Sequence, residues 1–125
     1  MKSLPPSLPA QRATRAHFVE PVPAVLRFKD GGRVAGKLKV VSETGGLLSI
    51  AHPVDTGRNA KLMFLTRAGM VLGSTEMLSP LSWSLQPFRF IEMNHDDQDR
   101  LKTTIQRSVE QNLSGHNQVE RSRAW

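Results

Sequence analysis

Two short segments carry residues whose types suit the binding of an anionic ligand. Near the start of the chain, Arg12 and Arg15 lie in the run Gln11-Arg12-Ala13-Thr14-Arg15, and further along Ser42 and Gly45 frame a Ser-x-x-Gly turn. Arginine can grip a phosphate with two parallel hydrogen bonds and can read the O6/N7 edge of guanine. A turn of this type offers backbone N–H groups and a hydroxyl to an anion. Together the two segments predict a ligand-binding site formed by Arg12, Arg15, Ser42 and Gly45.

Alternating apolar and polar residues predict the strands that must position these segments. Residues 24–28 and 34–40 alternate in this way, and Asp30-Gly31-Gly32 between them is typical of a tight hairpin turn, because glycine accepts positive φ. Gly45-Gly46 is predicted to interrupt the pattern before a third strand. The remaining predicted strands cover residues 47–50, 61–66, 70–78 and 88–91.

One amphipathic helix is predicted after the strands, with Asn94 or Asp96 as its N-cap and Gly115 as its C-terminal stop. Its apolar stripe recurs every four residues and consists of Leu101, Ile105, Val109 and Leu113. Six short strands followed by one helix predict a mainly β fold, a small antiparallel barrel or sandwich with one C-terminal α-helix.

The distribution of apolar residues predicts one compact domain between polar ends. The chain has 125 residues, of which 38% are hydrophobic, and these concentrate in its middle. We expect a flexible Pro-rich N-terminal arm over residues 1–20, the barrel and its helix over 21–113, and a polar tail over 114–125.

The composition of the chain also limits the classes of function that it can have. The net charge of +6 favours anionic partners. The chain contains no cysteine, which excludes disulfides, thiolate nucleophiles and cysteine-ligated metals. The four histidines lack metal-ligand spacing, and Ser42 lacks the glycine pattern of a nucleophile elbow, so we expect a non-enzyme without metal or cofactor. Since no segment is apolar enough for a membrane span or a signal peptide, we expect a cytoplasmic protein.

The arm, the rhythm of six strands and the terminal helix resemble the PilZ domain, a bacterial receptor module for cyclic di-GMP. The resemblance covers roughly residues 11–113. It extends to Gly57, just before the predicted fourth strand, and to Arg89 between Phe88 and Phe90 in the last strand. It implies a six-stranded antiparallel Greek-key-like barrel with one C-terminal α-helix. It also implies a non-catalytic role in second-messenger signalling, with cyclic di-GMP as the ligand.

The family's binding motifs are Arg-x-x-x-Arg on the arm and Asp/Asn-x-Ser-x-x-Gly on the turn. Gln11 stands at the first arginine position with Arg12 one place along, and Val40 stands at the position of the acid or amide. Losing two such contacts would remove about 2–5 kcal/mol, or about 30- to 5,000-fold in affinity. The second arginine, the serine and the glycine fall on Arg15, Ser42 and Gly45.

Two other functions compete with nucleotide binding. A PilZ-like adaptor could bind a protein partner without nucleotide, through an exposed barrel edge, the turn around Trp83 or the Leu101–Leu113 stripe of the helix. A small basic barrel could instead bind single-stranded nucleic acid by stacking bases on Trp83 and Trp125. Aromatic residues make up only 6% of the chain and mostly alternate as core positions, so the sequence disfavours nucleic acid.

Overall fold

The structure is a computed structural model that describes residues 14–123 of the chain. Those residues form six strands and one helix, which confirms the predicted mainly β fold with a C-terminal helix. The elements are β1 (Ala16–Arg27), β2 (Arg33–Val41), β3 (Gly45–Ile50), β4 (Asn59–Thr66), β5 (Gly69–Met77), β6 (Leu85–Met93) and α1 (His95–Arg123).

The six strands form a closed antiparallel barrel in the order β1-β2-β3-β6-β5-β4. Closure comes from pairing of β4 with β1, in which Val25 lies opposite Met63. Because β3 pairs with β6 and not with β4, the chain crosses one end of the barrel between β3 and β4. This crossing gives the barrel its Greek-key-like connection, and closure pairs both sides of every strand.

The barrel interior is filled by alternate residues of the strands. Leu26, Leu38, Leu62, Phe64 and Phe88 are almost completely buried there. Burial of each such side chain stabilises the fold by about 1.5–3 kcal/mol. The residues between them face outward, because successive side chains of a strand point to opposite faces.

The turn between β1 and β2 confirms the predicted hairpin. Gly31 has a φ of 93°, which glycine adopts without steric cost. The Asp30 carboxylate accepts a hydrogen bond from the Gly32 amide at 2.8 Å and pairs with Arg58 at 3.1 Å. The Arg58 guanidinium lies 3.9 Å from the centre of the Phe28 ring. Arg58 thereby joins this hairpin to the segment that leads into β4.

The first strand is longer than predicted, since it begins at Ala16 and not at residue 24. A register shift lies between His17 and Val22 and allows Pro21 inside the strand, because proline is tolerated where the ladder is irregular. Beyond the shift, Ala16 pairs with Val41 at the far end of β2. This extension brings the chain just before Ala16 to the turn between β2 and β3.

The predicted interruption at Gly45-Gly46 is wrong, because both glycines belong to β3. A Cβ at Gly45 would collide with the carbonyl oxygen of Phe88, and one at Gly46 with the carbonyl oxygen of Val40. The glycines therefore permit a close approach of neighbouring backbones inside the sheet, which is the other reason for glycine in a strand.

Helix α1 begins directly after Asn94 and packs three residues of its predicted apolar stripe against the barrel. Leu101 and Ile105 are buried, and Val109 packs against the core. The Asp97 carboxylate, in the first turn, accepts a hydrogen bond from the Leu72 amide of β5 at 3.0 Å. The helix is thus attached to the barrel through both apolar and polar contacts.

The predicted helix end at Gly115 is wrong, since α1 continues to Arg123. Glycine inside a helix costs only about 1 kcal/mol relative to alanine. The residues around Gly115 include Gln111, Gln118 and Glu120, which favour helix. A single glycine is a weak stop where no proline follows it.

Candidate functional site

The turn between β2 and β3 is held by hydrogen bonds of its own residues. The Ser42 amide donates to the Gly45 carbonyl at 2.7 Å, and the Thr44 amide donates to the Ser42 hydroxyl at 3.2 Å. The Ser42 hydroxyl also lies 3.2 Å from the Gly45 carbonyl and 3.1 Å from the Thr44 hydroxyl. Ser42 is buried. Its side chain therefore shapes the turn, while Glu43 and Thr44 are its exposed residues.

Arg15 and this turn lie along the same depression at one end of the barrel. Arg15 immediately precedes Ala16, whose pairing with Val41 places it next to the turn. The depression has a volume of about 650 Å³, within the range of about 300–1,000 Å³ typical of small-molecule sites. Its lining includes Arg15, Val40, Ser42, Glu43, Thr44, Gly45, Gly46, Leu81, Phe88, Arg89 and Phe90.

Three of the four predicted site residues are thus brought together, namely Arg15, Ser42 and Gly45. The fourth, Arg12, lies outside the described residues, as does Gln11. Val40, which stands at the family's acid or amide position, also lines the depression and is half-buried. Its apolar side chain offers no hydrogen bond to a ligand at that point.

Arg89 is a second cation on the depression that the sequence did not identify as a site residue. It lies on β6 directly opposite Gly45, and its guanidinium forms an ion pair with Glu76 of β5. Its side chain remains more than half exposed. The sequence shows only an arginine between two aromatic residues, and the pairing of β3 with β6 is what brings it to the turn. The depression therefore carries two arginines, Arg15 and Arg89, with Glu43 at its margin.

Apolar residues line the depression together with these cations. Phe88 and Phe90, which flank Arg89 on β6, pack edge to face with ring centres 5.3 Å apart. The Phe90 amide donates to the Thr44 carbonyl at 2.8 Å, which ties β6 to the turn. Leu81, in the segment between β5 and β6, is 69% exposed and offers an apolar surface to a ligand. Cationic and apolar groups in one depression suit a ligand that combines anionic and planar parts.

The described part of the chain has no helix with the length and apolarity needed to cross a membrane. Within the same residues, no three His, Asp or Glu side chains form a group that could hold a metal ion.

Comparison with solved structures identifies the fold. The PilZ domain of YcgR from Escherichia coli with c-di-GMP superposes with a TM-score of 0.71 at 12% identity, over 86% of this chain and 97% of that domain. The Klebsiella pneumonia MrkH–c-di-GMP complex gives a TM-score of 0.66 at 16% identity, over 83% of this chain and 53% of MrkH. The chain therefore has a PilZ-like fold.

A motility inhibitor has the same architecture. Bacillus subtilis MotI (DgrA) gives a TM-score of 0.61 at 13% identity, over 83% of this chain and 53% of that protein. This chain spans about half the length of MrkH and MotI, so it matches one part of each. No protein-family model matches the sequence, and neither does any curated protein.

Proposed function

We propose that this chain is a non-catalytic, PilZ-like receptor for cyclic di-GMP that acts in second-messenger signalling in a bacterial cytoplasm. In this proposal Arg12 and Arg15 close over the dinucleotide and hold it against the Ser42–Gly45 turn. Ordering of the arm then presents a new surface to a partner protein. The chemistry is recognition alone, with no bond made or broken.

One observation carries the proposal: Arg15 and the Ser42–Gly45 turn line one depression at the end of a PilZ-like barrel. Cyclic di-GMP combines two phosphates with two planar guanines, and arginine can contact both kinds of group. Arg15 is exposed and available to the ligand, while the exposed Thr44 contributes a hydroxyl beside it. Arg89, whose guanidinium also pairs with Glu76, lines the same depression, and Leu81 adds an apolar surface against which a base can pack.

The hydrogen bonds that Ser42 makes within the turn indicate what each residue of the proposed site contributes. Since the Ser42 hydroxyl already accepts from the Thr44 amide at 3.2 Å, its contribution is to hold the turn in shape. Gly45 contributes by the absence of a side chain, which keeps β3 close to β6. In this proposal the arginines make the direct contacts to phosphate and guanine.

A second candidate function is a PilZ-like adaptor that binds a protein partner without nucleotide. Val40 favours it, because an apolar side chain lines the depression where the family has an acid or amide. The same fold would then serve only as a scaffold for protein contacts. Binding of single-stranded nucleic acid has less support, since Trp83 is the one tryptophan within residues 14–123 and base stacking along a strand needs several platforms.

Isothermal titration of the purified full chain with cyclic di-GMP, at about 50 mM and about 300 mM salt, tests the proposal. GMP is the matched control, because it has the same base and a phosphate but only one of each. We expect saturable binding of cyclic di-GMP in the micromolar range that weakens as salt rises, with weaker binding of GMP. No heat at millimolar cyclic di-GMP would refute the receptor function and leave the adaptor as the function of this fold.

A further inference from the structure

Large apolar side chains are exposed on the outer surface of the barrel where β4 and β5 pair. Leu65 lies directly opposite Met70, and Met63 lies directly opposite Leu72. Directly opposed residues point to the same face of a sheet, so these four side chains are neighbours. Leu65 is 64% exposed, Met70 45% and Leu72 36%, although each belongs to a residue type that is usually buried.

This apolar surface continues around the barrel onto β1. Val25 pairs with Met63 across the closure of the barrel, and on its other side it pairs with Ala35 of β2. A row of apolar residues therefore runs across four strands. We call this group the outer apolar patch, which consists of the exposed Leu65, Met70 and Leu72 and the half-buried Val25 and Met63.

A row of cations borders the outer apolar patch on one side. Arg27 of β1 pairs with Arg33 of β2 and with Lys61 of β4, and all three residues are exposed. Each of these three residues lies two positions away from the apolar residue of the row on its own strand, and therefore on the same outer face. Ser74 and then Glu92 continue this line on β5 and β6. We call Arg33, Arg27 and Lys61 the cation row.

Neighbouring strands lie about 4.8 Å apart, so β1, β4 and β5 together span about 10 Å, which corresponds to about two turns of α-helix. Because the six strands close into a barrel, the surface curves away beyond these three strands, and a straight helix contacts no more of them. Two residues along a strand cover about 7 Å, so a helix centred over the outer apolar patch places one flank above Arg27 and Lys61 of the cation row. Such a helix packs on this outer face through its side chains.

We infer that the outer apolar patch and the cation row form a docking surface for an amphipathic helix of a partner protein, with acidic residues along one flank of that helix. Charge complementarity selects this occupant, because three cations line one side of the patch and only Glu92 lies in the same line. None of the five residues of the outer apolar patch lines the depression, so the two surfaces are separate. Docking therefore does not require the residues that line the depression.

A pair of synthetic peptides tests this inference on the full chain. Both have about 18 residues and the same leucine stripe, and they differ only in carrying glutamate or lysine along one flank. Fluorescence anisotropy measures their binding, and amide chemical shifts locate it on the protein. We expect the acidic peptide to bind at least about tenfold more tightly than the basic one and to perturb the amides of the outer apolar patch.

Two variants report on the two halves of the surface. We expect Arg27→Glu to weaken binding of the acidic peptide about tenfold, whereas Lys102→Glu, on the exposed surface of α1, leaves it unchanged. We likewise expect Met70→Ser to weaken it about tenfold, whereas Ile91→Ser, at a comparably exposed site on β6, does not. Circular dichroism of each variant verifies that the barrel remains folded.

Other occupants of the surface have distinct signatures. Equal binding of the two peptides, or binding of neither, would overturn the inference. Binding to phosphatidylglycerol vesicles without binding to the acidic peptide would mean that the surface contacts lipid. A dimer in sedimentation that Met70→Ser dissociates would mean that a second copy of the chain covers the patch. Shifts confined to the Ser42–Gly45 turn would mean that the peptide occupies the depression.

Discussion

Gly45 on β3 lies directly opposite Arg89 on β6, at the end of the barrel where the depression opens. A Cβ on Gly45 would meet the Cα of Arg89 at 2.8 Å, closer than real Cβ atoms approach other backbone atoms. The two strands can adopt this separation only because position 45 has no side chain. Arg89 is thereby held beside the Ser42–Gly45 turn, and the second cation of the depression depends on the glycine opposite it.

Replacement of this glycine should therefore destabilise the barrel and alter the site. We expect Gly45→Ala to lower the free energy of unfolding by about 1–3 kcal/mol, because the added methyl group must push β3 away from β6. Chemical denaturation of the purified protein measures the change. Gly57→Asn is the matched control: Gly57 has a φ of 88° with nothing near its Cβ position, and asparagine tolerates this conformation. Equal stability of Gly45→Ala and the unaltered protein would contradict the close packing of these strands.

Arg15 is expected to contribute to ligand binding and not to stability. In the receptor proposed above, Arg15→Ala removes a charge-assisted contact worth about 1.5–3 kcal/mol, which raises the Kd for cyclic di-GMP at least about tenfold. The exposed side chain adds little to the core, so the thermal midpoint should not change. Titration and thermal denaturation measure the two quantities. Lys29→Ala, at an exposed position on the distant β1–β2 turn, should leave both unchanged, and an unaltered affinity of Arg15→Ala would exclude Arg15 from the site.

Restoring the family's motif residues should strengthen binding of cyclic di-GMP. Gln11→Arg supplies a second cation on the arm, and Val40→Asp supplies a carboxylate inside the depression that can accept from a guanine edge. We expect the double variant to bind about 30- to 5,000-fold more tightly, the converse of about 2–5 kcal/mol lost. The two single variants complete a double-mutant cycle that separates their contributions. Should neither single nor double variant gain affinity, the assignment of these positions to the motifs would be wrong.

Gln86, near the start of β6, is a fully buried polar residue, and its loss should destabilise the barrel. The side chain is fully buried, accepts from the Val54 amide at 3.0 Å and donates to the carbonyls of Leu78 at 2.7 Å and Pro87 at 2.9 Å. Gln86→Leu leaves these three backbone groups without a side-chain partner. We expect the free energy of unfolding to fall by at least about 2 kcal/mol, measured by chemical denaturation.

Gln98→Leu provides the comparison, because Gln98 is exposed and makes one side-chain hydrogen bond, to the Met93 carbonyl at 3.2 Å. We expect it to change stability by no more than about 0.5 kcal/mol. A Gln86→Leu protein as stable as Gln98→Leu would show that water or rearranged backbone satisfies the groups that Gln86 contacts.

Local patterns in the sequence predicted the elements whose causes are local. The Asp30-Gly31-Gly32 turn follows from the conformational freedom of glycine, and the face of α1 that carries Leu101 and Ile105 follows from the helical period. Alternation predicted that Leu26 and Phe28 share the inner face of the first strand, because that choice depends on the two-residue repeat of extended chain. The count of six strands and one terminal helix then indicated a small barrel or sandwich.

Long-range pairing decided what local patterns could not. Gly45 and Gly46 were interpreted as a break because glycine usually interrupts strands, yet they lie inside β3, where Phe88 and Val40 approach from neighbouring strands. The extension of β1 back to Ala16 likewise depends on its partner Val41. These interactions join residues that are far apart in the sequence, and no local propensity encodes them.

The candidate site, too, was predicted in part from the sequence and in part only by the tertiary structure. The sequence by itself determined the residue types, with an arginine at position 15 and a serine and glycine that close a turn at 42–45. Only the tertiary structure decided that they share one depression, that Arg89 joins them and that the Ser42 hydroxyl is used within the turn. The physical reason is that each side chain sets the chemistry that its residue can perform. Which residues lie close together is set by the pairing of β1 with β2 and of β3 with β6.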